Sequence, residues 1–471
     1  MALLPSADWV VAESIAGIVH VNPFLPERVE LERRALGPRF KEEGPVIRAR
    51  PGEREEDLFG NIPALRERAG TLATDMRRLL VTGQKASRQE LEIYEDLVLF
   101  LLYSRYMSAL GGLVLKSLNK PAWDGEVEQP LWDRFVEDFS HYLHLPGIAL
   151  PSEHDVRVIM AVFFQVERAF MHIYSRIIGG SKPAARLRAA VWQSVFTRDM
   201  RRYFRSLHRT MADVPTLIVG SSGSGKELVA RAIGESCFIP FDPGTRRFKV
   251  NPAETYIPLS LAALAPTLID SALFGHVKGA FATAYKDREG WLQKCSEYGA
   301  VFLDEIGDLD GTIQIKLLRV LETRNFQRVG STDTLSFKGK IIAATNRDLS
   351  AEMQAGRFRH DLYYRLCADQ VETPSLAEQL ADRPEDLTEM VRFIAQGVLV
   401  KQTDGANGSL LGPVAGDRFQ KDVEDLTLEV VTWIDRELGR GYAWPGNFRE
   451  LGQCVRNIMI RGSYRPASRG R

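Results

Sequence analysis

Cysteine is scarce: Cys237, Cys295, Cys367 and Cys454 are scattered through 471 residues and form no C-x-x-C pair. This excludes a disulfide framework and a cysteine zinc site, and it suits a reducing cytoplasm. Net charge is lacking as well, since Lys+Arg and Asp+Glu each number 61. No global basic field draws the chain to nucleic acid or to an anionic membrane, so any such contact must be local. Long apolar runs are missing too. The most hydrophobic stretch, "LVLFLLY" at 97–103, is bounded by Asp96 and Arg105 and reads as too short to cross a bilayer. The N-terminus has no basic segment followed by an apolar core, so neither a signal peptide nor a membrane association is expected.

The remaining composition, 45% hydrophobic, is enough for two or three buried cores. Residues 1–85 read as an irregular or mixed segment, with prolines at 23, 26, 38, 45, 51 and 63 and the charged stretch "PGEREEDLFG". Across 86–176 apolar residues recur every three or four, as Leu91, Tyr94, Leu97 and Leu101, then Val156, Met160, Phe163, Val166 and Phe170. That period predicts a helical domain, with a possible regulatory role. Between 182 and 211, Trp192, Phe196, Met200, Tyr203 and Leu207 stand at helical spacing among Arg186, Arg188, Arg198, Arg201, Arg202, Arg205 and Arg209. Clustered arginines can neutralise phosphates. The preferred reading is nevertheless a helix packed by its aromatic stripe with solvated arginines outside.

After Pro215 short apolar runs alternate with helical stretches: "TLIVG", "YIPLSL", "AVFLDE" and "KIIAATN". They predict an α/β domain over 177–383, a parallel sheet with helices on both faces. A helical lid is expected over 384–462, interrupted by the Gly-rich and mobile "TDGANGSLLGPVAGD", and a basic tail over 463–471.

"LIVGSSGSGKELVARAIG" sets Gly220, Ser221, Ser222, Gly223, Ser224, Gly225, Lys226, Glu227 and Leu228 between a strand and a helix. Backbone N–H groups of such a turn cradle phosphates, and Lys226 reaches the β- and γ-phosphates. Taken alone, the stretch could be a Gly-rich turn, and Glu227 stands where Ser or Thr usually ligates magnesium. The second half of the site decides it. "AVFLDE" brings Asp304 and Glu305 to a strand's carboxyl end, where Asp304 can hold Mg2+ through water and Glu305 can polarise the attacking water. "AATN" ends a further strand with Thr345 and Asn346 at a sensor position. "FRHDLYYRL" offers Arg359 and Arg365 as arginine fingers supplied across a subunit boundary, and "YAWPGNFREL" places Arg449 just inside a lid helix.

Over about 177–462 the sequence resembles the central AAA+ domain of bacterial sigma-54-dependent transcriptional activators, the enhancer-binding proteins. The resemblance rests on "IIGGS", "GSSGSGKELVARAIG", "LFGHVKGAF", "EGWLQKCSEYGAVFLDEIGDL", "IKLLRVLETRNFQRVGS", "KIIAATNRDL", "GRFRHDLYYRL" and "WPGNFREL". It implies an ATP- and Mg2+-dependent ring, usually a hexamer, that remodels the closed complex of sigma-54 RNA polymerase. Asp304 and Glu305 then match the Walker B pair, Arg359 and Arg365 the trans-acting fingers, Asn346 the first sensor and Arg449 the second. Glu227 after the P-loop lysine also follows the family's pattern.

Gly279, Ala280, Phe281, Ala282, Thr283 and Ala284 fall on the family's Gly-Ala-Phe-Thr-Gly-Ala loop, by which Phe281 is expected to touch sigma-54. Here Ala282 and Thr283 replace Thr and Gly, removing a hydroxyl and restricting the backbone. Ser260 replaces an Asn that in the family contacts the catalytic glutamate, and Ala272 replaces a Glu. No helix-turn-helix is expected after the lid, so direct DNA contact would fall to the weakly binding tail or to the N-terminal half. Three functions fit: an ATP-hydrolysing regulator of sigma-54 polymerase, an AAA+ remodelling ATPase with a different client, or a nucleotide-dependent scaffold that hydrolyses little.

Overall fold

The N-terminal segment read as irregular is helical. The computed structural model describes residues 3–44, 59–119, 123–403 and 417–466, and within them α1 (Ser6–Ile18), α2 (Pro26–Leu36) and α3 (Ile62–Val81) occupy that segment. The prolines misled because Pro26 and Pro63 sit in the first turns of α2 and α3, where no intrahelical N–H is needed. Most of "PGEREEDLFG", the interior of the Gly-rich lid stretch and residues 467–471 of the tail lie outside the described residues.

Helices α4 (Arg88–Asn119), α5 (Gln129–Leu143) and α6 (Val156–Arg176) follow. By length and composition α4 could cross a membrane, contrary to the estimate from its apolar run, but 67% of its most apolar window is buried. Tyr94, Leu97, Val98, Leu101 and Leu102 are each almost wholly enclosed. The arginine-rich segment is two helices, α7 (Lys182–Phe196) and α8 (Met200–Arg205). They part at Thr197, whose φ is 68°, and the Asp199 side chain caps α8 by accepting the Arg202 N–H. Arg188 is buried and donates to the Ile177 and Gly179 carbonyls, while Arg201 pairs with Asp96.

The chain divides into two compact units that do not follow the expected boundaries. One comprises Met1–Met171, Val195–Met211 and Phe238–Pro252, and the other His172–Ser194, Ala212–Cys237 and Ala253–Arg471. The hairpin Phe241–Asp242/Arg247–Phe248 thus belongs to the helical unit, although it lies in sequence among the sheet strands. Its aromatics explain why: Phe248 stacks on Phe164 at 4.1 Å, and Phe241 lies 4.9 Å from Trp132.

In the same unit His208 is buried, donates Nδ1–H to the Tyr203 carbonyl at 2.9 Å and packs 4.7 Å from Phe238. Burial is the main cause that holds its pKa below the ordinary 6.5. The unfolded chain therefore takes up this proton before the folded one, and the unit loses stability as pH falls through about 6.5. Melting curves at pH 7.5 and 5.5 should show a smaller acid-induced drop for His208→Phe than for the wild type.

In the second unit the four apolar runs form β1 (Thr216–Val219), β2 (Tyr256–Ser260), β3 (Ala300–Asp304) and β4 (Lys340–Thr345). A fifth strand, β5 (Asp369–Glu372), joins them in the spatial order β5-β1-β4-β3-β2, all parallel. β4 is buried along its whole length, as a central strand covered on both faces should be. β5 was not anticipated, because an edge strand reading "DQVE" buries only Val371. Leu217, Val301, Leu303, Ile341 and Ala343 pack with Leu273, Leu317, Val320 and Leu362 in one core. Each large side chain in it contributes on the order of 2 kcal/mol.

The helices that concern the site are α9 (Lys226–Gly234), α10 (Pro266–Phe274), α11 (Gly311–Thr323) and α12 (His360–Leu366). Four more follow the last strand: α13 (Leu376–Asp382), α14 (Asp386–Thr403), α15 (Asp417–Glu437) and α16 (Asn447–Arg461). Parallel pairing brings the carboxyl ends of β1, β3 and β4 to one edge, where ligands of such sheets bind.

Candidate active site

Between β1 and α9 the chain makes a turn that needs glycine. Gly223 has φ 75°, and a Cβ there would lie 2.5 Å from the Gly446 carbonyl oxygen. Gly225, in the left-handed region, caps α9, so the helix N-terminus and its free N–H groups face the turn. Ser224 is fixed by its hydroxyl contact with Thr373 at 2.6 Å. Ser221 and Ser222 are exposed, Glu227 faces solvent on the first turn of α9, and Leu228 is half-buried beside it. Lys226 is buried and its ammonium donates to the carbonyls of Gly220 at 2.9 Å and Ser221 at 3.1 Å. Burial lowers its pKa, the carboxylates of Glu305 and Asp304 oppose that, and Arg449 adds to the lowering.

Asp304 closes β3, and Glu305 turns the chain away from the sheet in the left-handed region, at φ 57° and ψ 50°. A non-glycine residue there carries roughly 1–3 kcal/mol of strain, which persists only where the surroundings fix it. The Glu305 N–H donates to Asp304 Oδ1 at 3.1 Å. Both carboxylates are half-buried, and Asn346 is exposed just beyond β4. Ser260 stands opposite Asp304 in the β2–β3 register and is exposed.

Helix α16 rests directly on this turn. Arg449 donates to the Ser222 hydroxyl at 2.9 Å, and the Phe448 N–H donates to the Gly223 carbonyl at 3.1 Å. Asn447 was overlooked in the sequence, although it lies in the same motif as Arg449. Buried and at φ 51°, it donates through its amide to Ser221 Oγ and the Ser222 carbonyl, both at 3.0 Å. The amide oxygen accepts the Leu376 N–H at 2.9 Å. Asn447→Ala would leave the buried Leu376 N–H unpaired, release Ser221 and Ser222 to water and force an alanine into a left-handed position. Nucleotide affinity should fall by about tenfold, one hydrogen bond's worth of about 1.4 kcal/mol, in a fluorescent-nucleotide titration.

Arg359 and Arg365 pair near their own helix rather than with the phosphate turn. Arg359 precedes α12 and holds Asp361 by two bonds, at 3.0 and 2.7 Å, while Arg365 faces Glu322 at 3.5 Å. Both are exposed.

The loop carrying Phe281 rises from the ladder Gly275–His276/Arg288–Glu289. Gly279, at φ 83°, donates its N–H to the Ala284 carbonyl, and the Ala284 N–H returns to the Phe281 carbonyl. Ala284 is buried beneath the tip, Ala282 and Thr283 are exposed, and Ala280 lies against Gly330 in the turn of the hairpin Asn325–Gln327/Thr334–Ser336. Within the structure Phe281 touches His276, at 4.8 Å between rings, and keeps 38% of its surface exposed. Tyr285 beside it is 80% exposed, an aromatic that the sequence reading did not single out. Ala272 is buried on α10.

Lys226, Asp304 and Glu305 thus share one electrostatic neighbourhood with Arg449 of α16. Residues 193–372 match the family described as Sigma-54 interaction domain. The transcriptional regulatory protein ZraR of Klebsiella oxytoca is 39% identical over 255 residues, 54% of this chain and 49% of that protein. The Nif-specific regulatory protein of Azotobacter vinelandii is 38% identical over 265 residues, 56% of this chain and 43% of its own. The chain therefore aligns with about half the length of the curated relatives it matches. A crystal structure of NtrX from Brucella abortus in complex with ATP aligns with 70% of this chain and 61% of its own, at 22% identity and a TM-score of 0.42.

Proposed function

We propose that the protein is an ATP-hydrolysing transcriptional regulator that remodels the closed complex of sigma-54 RNA polymerase in the bacterial cytoplasm. The observation that carries this reading is a glycine turn ending in Lys226 at the start of α9, within Coulombic reach of Asp304 and Glu305 at the end of β3, in the unit that also carries the Phe281 loop. The P-loop N–H groups and Lys226 bind the phosphates of ATP, and Arg449 and Asn447 hold the lid over them. Asp304, a hard oxygen donor at a strand end, suits Mg2+, which when bound neutralises charge on the phosphate oxygens. Glu305 polarises the attacking water and Asn346 orients it. Arg359 and Arg365 act in a neighbouring copy's site, so the active species is a homo-oligomeric ring, in the family usually a hexamer.

The test captures the client. A Glu305→Gln ring with ATP should retain purified sigma-54, and Phe281→Ala in that background should lose it. Ala282 and Thr283 favour a second reading, a motor turned to another client protein. Under it the Glu305→Gln ring binds no sigma-54, whereas a ring also carrying Ala282→Thr does.

A further inference from the structure

Gln314 is a wholly buried amide on α11 amid the apolar core. Its side chain makes three hydrogen bonds to two segments, with both Nε2 hydrogens donated. Its Nε2 donates to the Leu309 carbonyl at 2.8 Å and to the Arg357 carbonyl at 2.9 Å, and its Oε1 accepts the Arg359 N–H at 2.9 Å. Leu309 ends the short turn that begins at Glu305. Arg357 and Arg359 lead into α12, and Arg359 is its N-cap residue, with a side chain that does not cap the helix. A second path, of ion pairs through the buried Glu352, runs beside the first: Arg347, next to Asn346, pairs with Asp308 of that turn and with Glu352 at 3.7 Å. Glu352 in turn holds Arg357 by bonds of 2.6 and 2.9 Å. Arg347, Asp308 and Arg357 are exposed, so water screens their ends of these pairs, and the wholly buried amide is the stiffer link.

We infer that Gln314 is a positioning residue: it holds Arg359 in place for the neighbouring subunit and ties that arginine to the turn after Glu305. The inference rests on the reading of Arg359 as a residue that acts in trans. Gln314 touches no substrate and works through the backbone of residue 359. A shift of about 1 Å in a positioned group costs on the order of 100-fold in rate, so a variant without the amide should lose roughly 10- to 100-fold in kcat. KM for ATP should change little, because the subunit's own phosphate turn is untouched.

The experiment uses full-length chains in mixed oligomers. Gln314→Met keeps the volume and removes the bonds, while Gln314→Glu keeps the shape and loses the donors. In equimolar mixtures Glu305→Gln subunits offer an intact arginine to the working site of a Gln314→Met subunit. ATPase activity should then exceed the mean of the two parents, whereas Gln314→Met mixed with Arg359→Ala should show no such gain. Arg359→Ala mixed with Glu305→Gln is the control. If the control gains activity and neither Gln314 variant does, the inference is overturned while the trans reading stands. If the control itself fails, the trans reading falls and the inference with it. If both Gln314 variants fail to fold, the amide serves the core alone and the inference is likewise overturned.

Discussion

Glu305→Gln is expected to lower ATP turnover by about 10²- to 10⁴-fold, the range spanned by a positioned general base. Glutamine keeps the side chain's length but cannot accept a proton from water at this site. The left-handed backbone at residue 305 should survive, since it is set by the end of β3 and by the N–H bond to Asp304. Binding should persist because the P-loop glycines and Lys226 are unchanged, so the nucleotide Kd is expected to stay within about a factor of three. Loss of rate without loss of binding, read by phosphate release and by nucleotide titration, marks Glu305 as acting on the reaction. A parallel loss of both would place the residue in the fold of the site instead. Residual turnover close to the wild-type rate would favour a nucleotide-dependent scaffold.

Arg359→Ala is expected to cost about 10³-fold in kcat, the lower end for an arginine supplied across a subunit boundary. The guanidinium divides its charge with Asp361, whose pKa is lowered chiefly by its bond to Arg359. Arg359→Lys should not restore the rate, because an ammonium cannot match the two-pronged geometry of guanidinium. Wild-type turnover per subunit should rise with protein concentration, as monomers would be nearly inactive, whereas Arg359→Ala should remain slow at every concentration that still assembles. Assembly followed by light scattering separates the two causes. A variant that hydrolyses normally, or that loses activity only by failing to assemble, removes Arg359 from the chemistry.

The legible parts of this protein were those written in local spacing. Strands β1 to β4 announced themselves as apolar runs because central parallel strands are buried on both faces. β5 did not, since an edge strand carrying Asp369, Gln370 and Glu372 buries only one side chain. Prolines 26 and 63 looked like breakers and instead begin helices. The Phe241–Phe248 hairpin lies among sheet strands in sequence, yet its aromatics complete the core of the helical unit, and no local period reveals that preference. Gln314 and Asn447 each read as one polar residue within a helix or a turn. Their importance lies in partners that the sequence keeps far away.

The sequence by itself determined the chemistry on offer: a glycine turn ending in Lys226, and an acidic pair at the end of an apolar run. Both are fixed by a few consecutive residues and by the geometry of a strand passing into a helix or turn. Only the tertiary structure decided that Asn447 would hold Ser221, 226 residues before it, and that one buried amide would join the turn after Glu305 to Arg359. Such bonds form between segments that share no local pattern. They exist once the core has packed, because a buried amide must find all its partners or destabilise the fold.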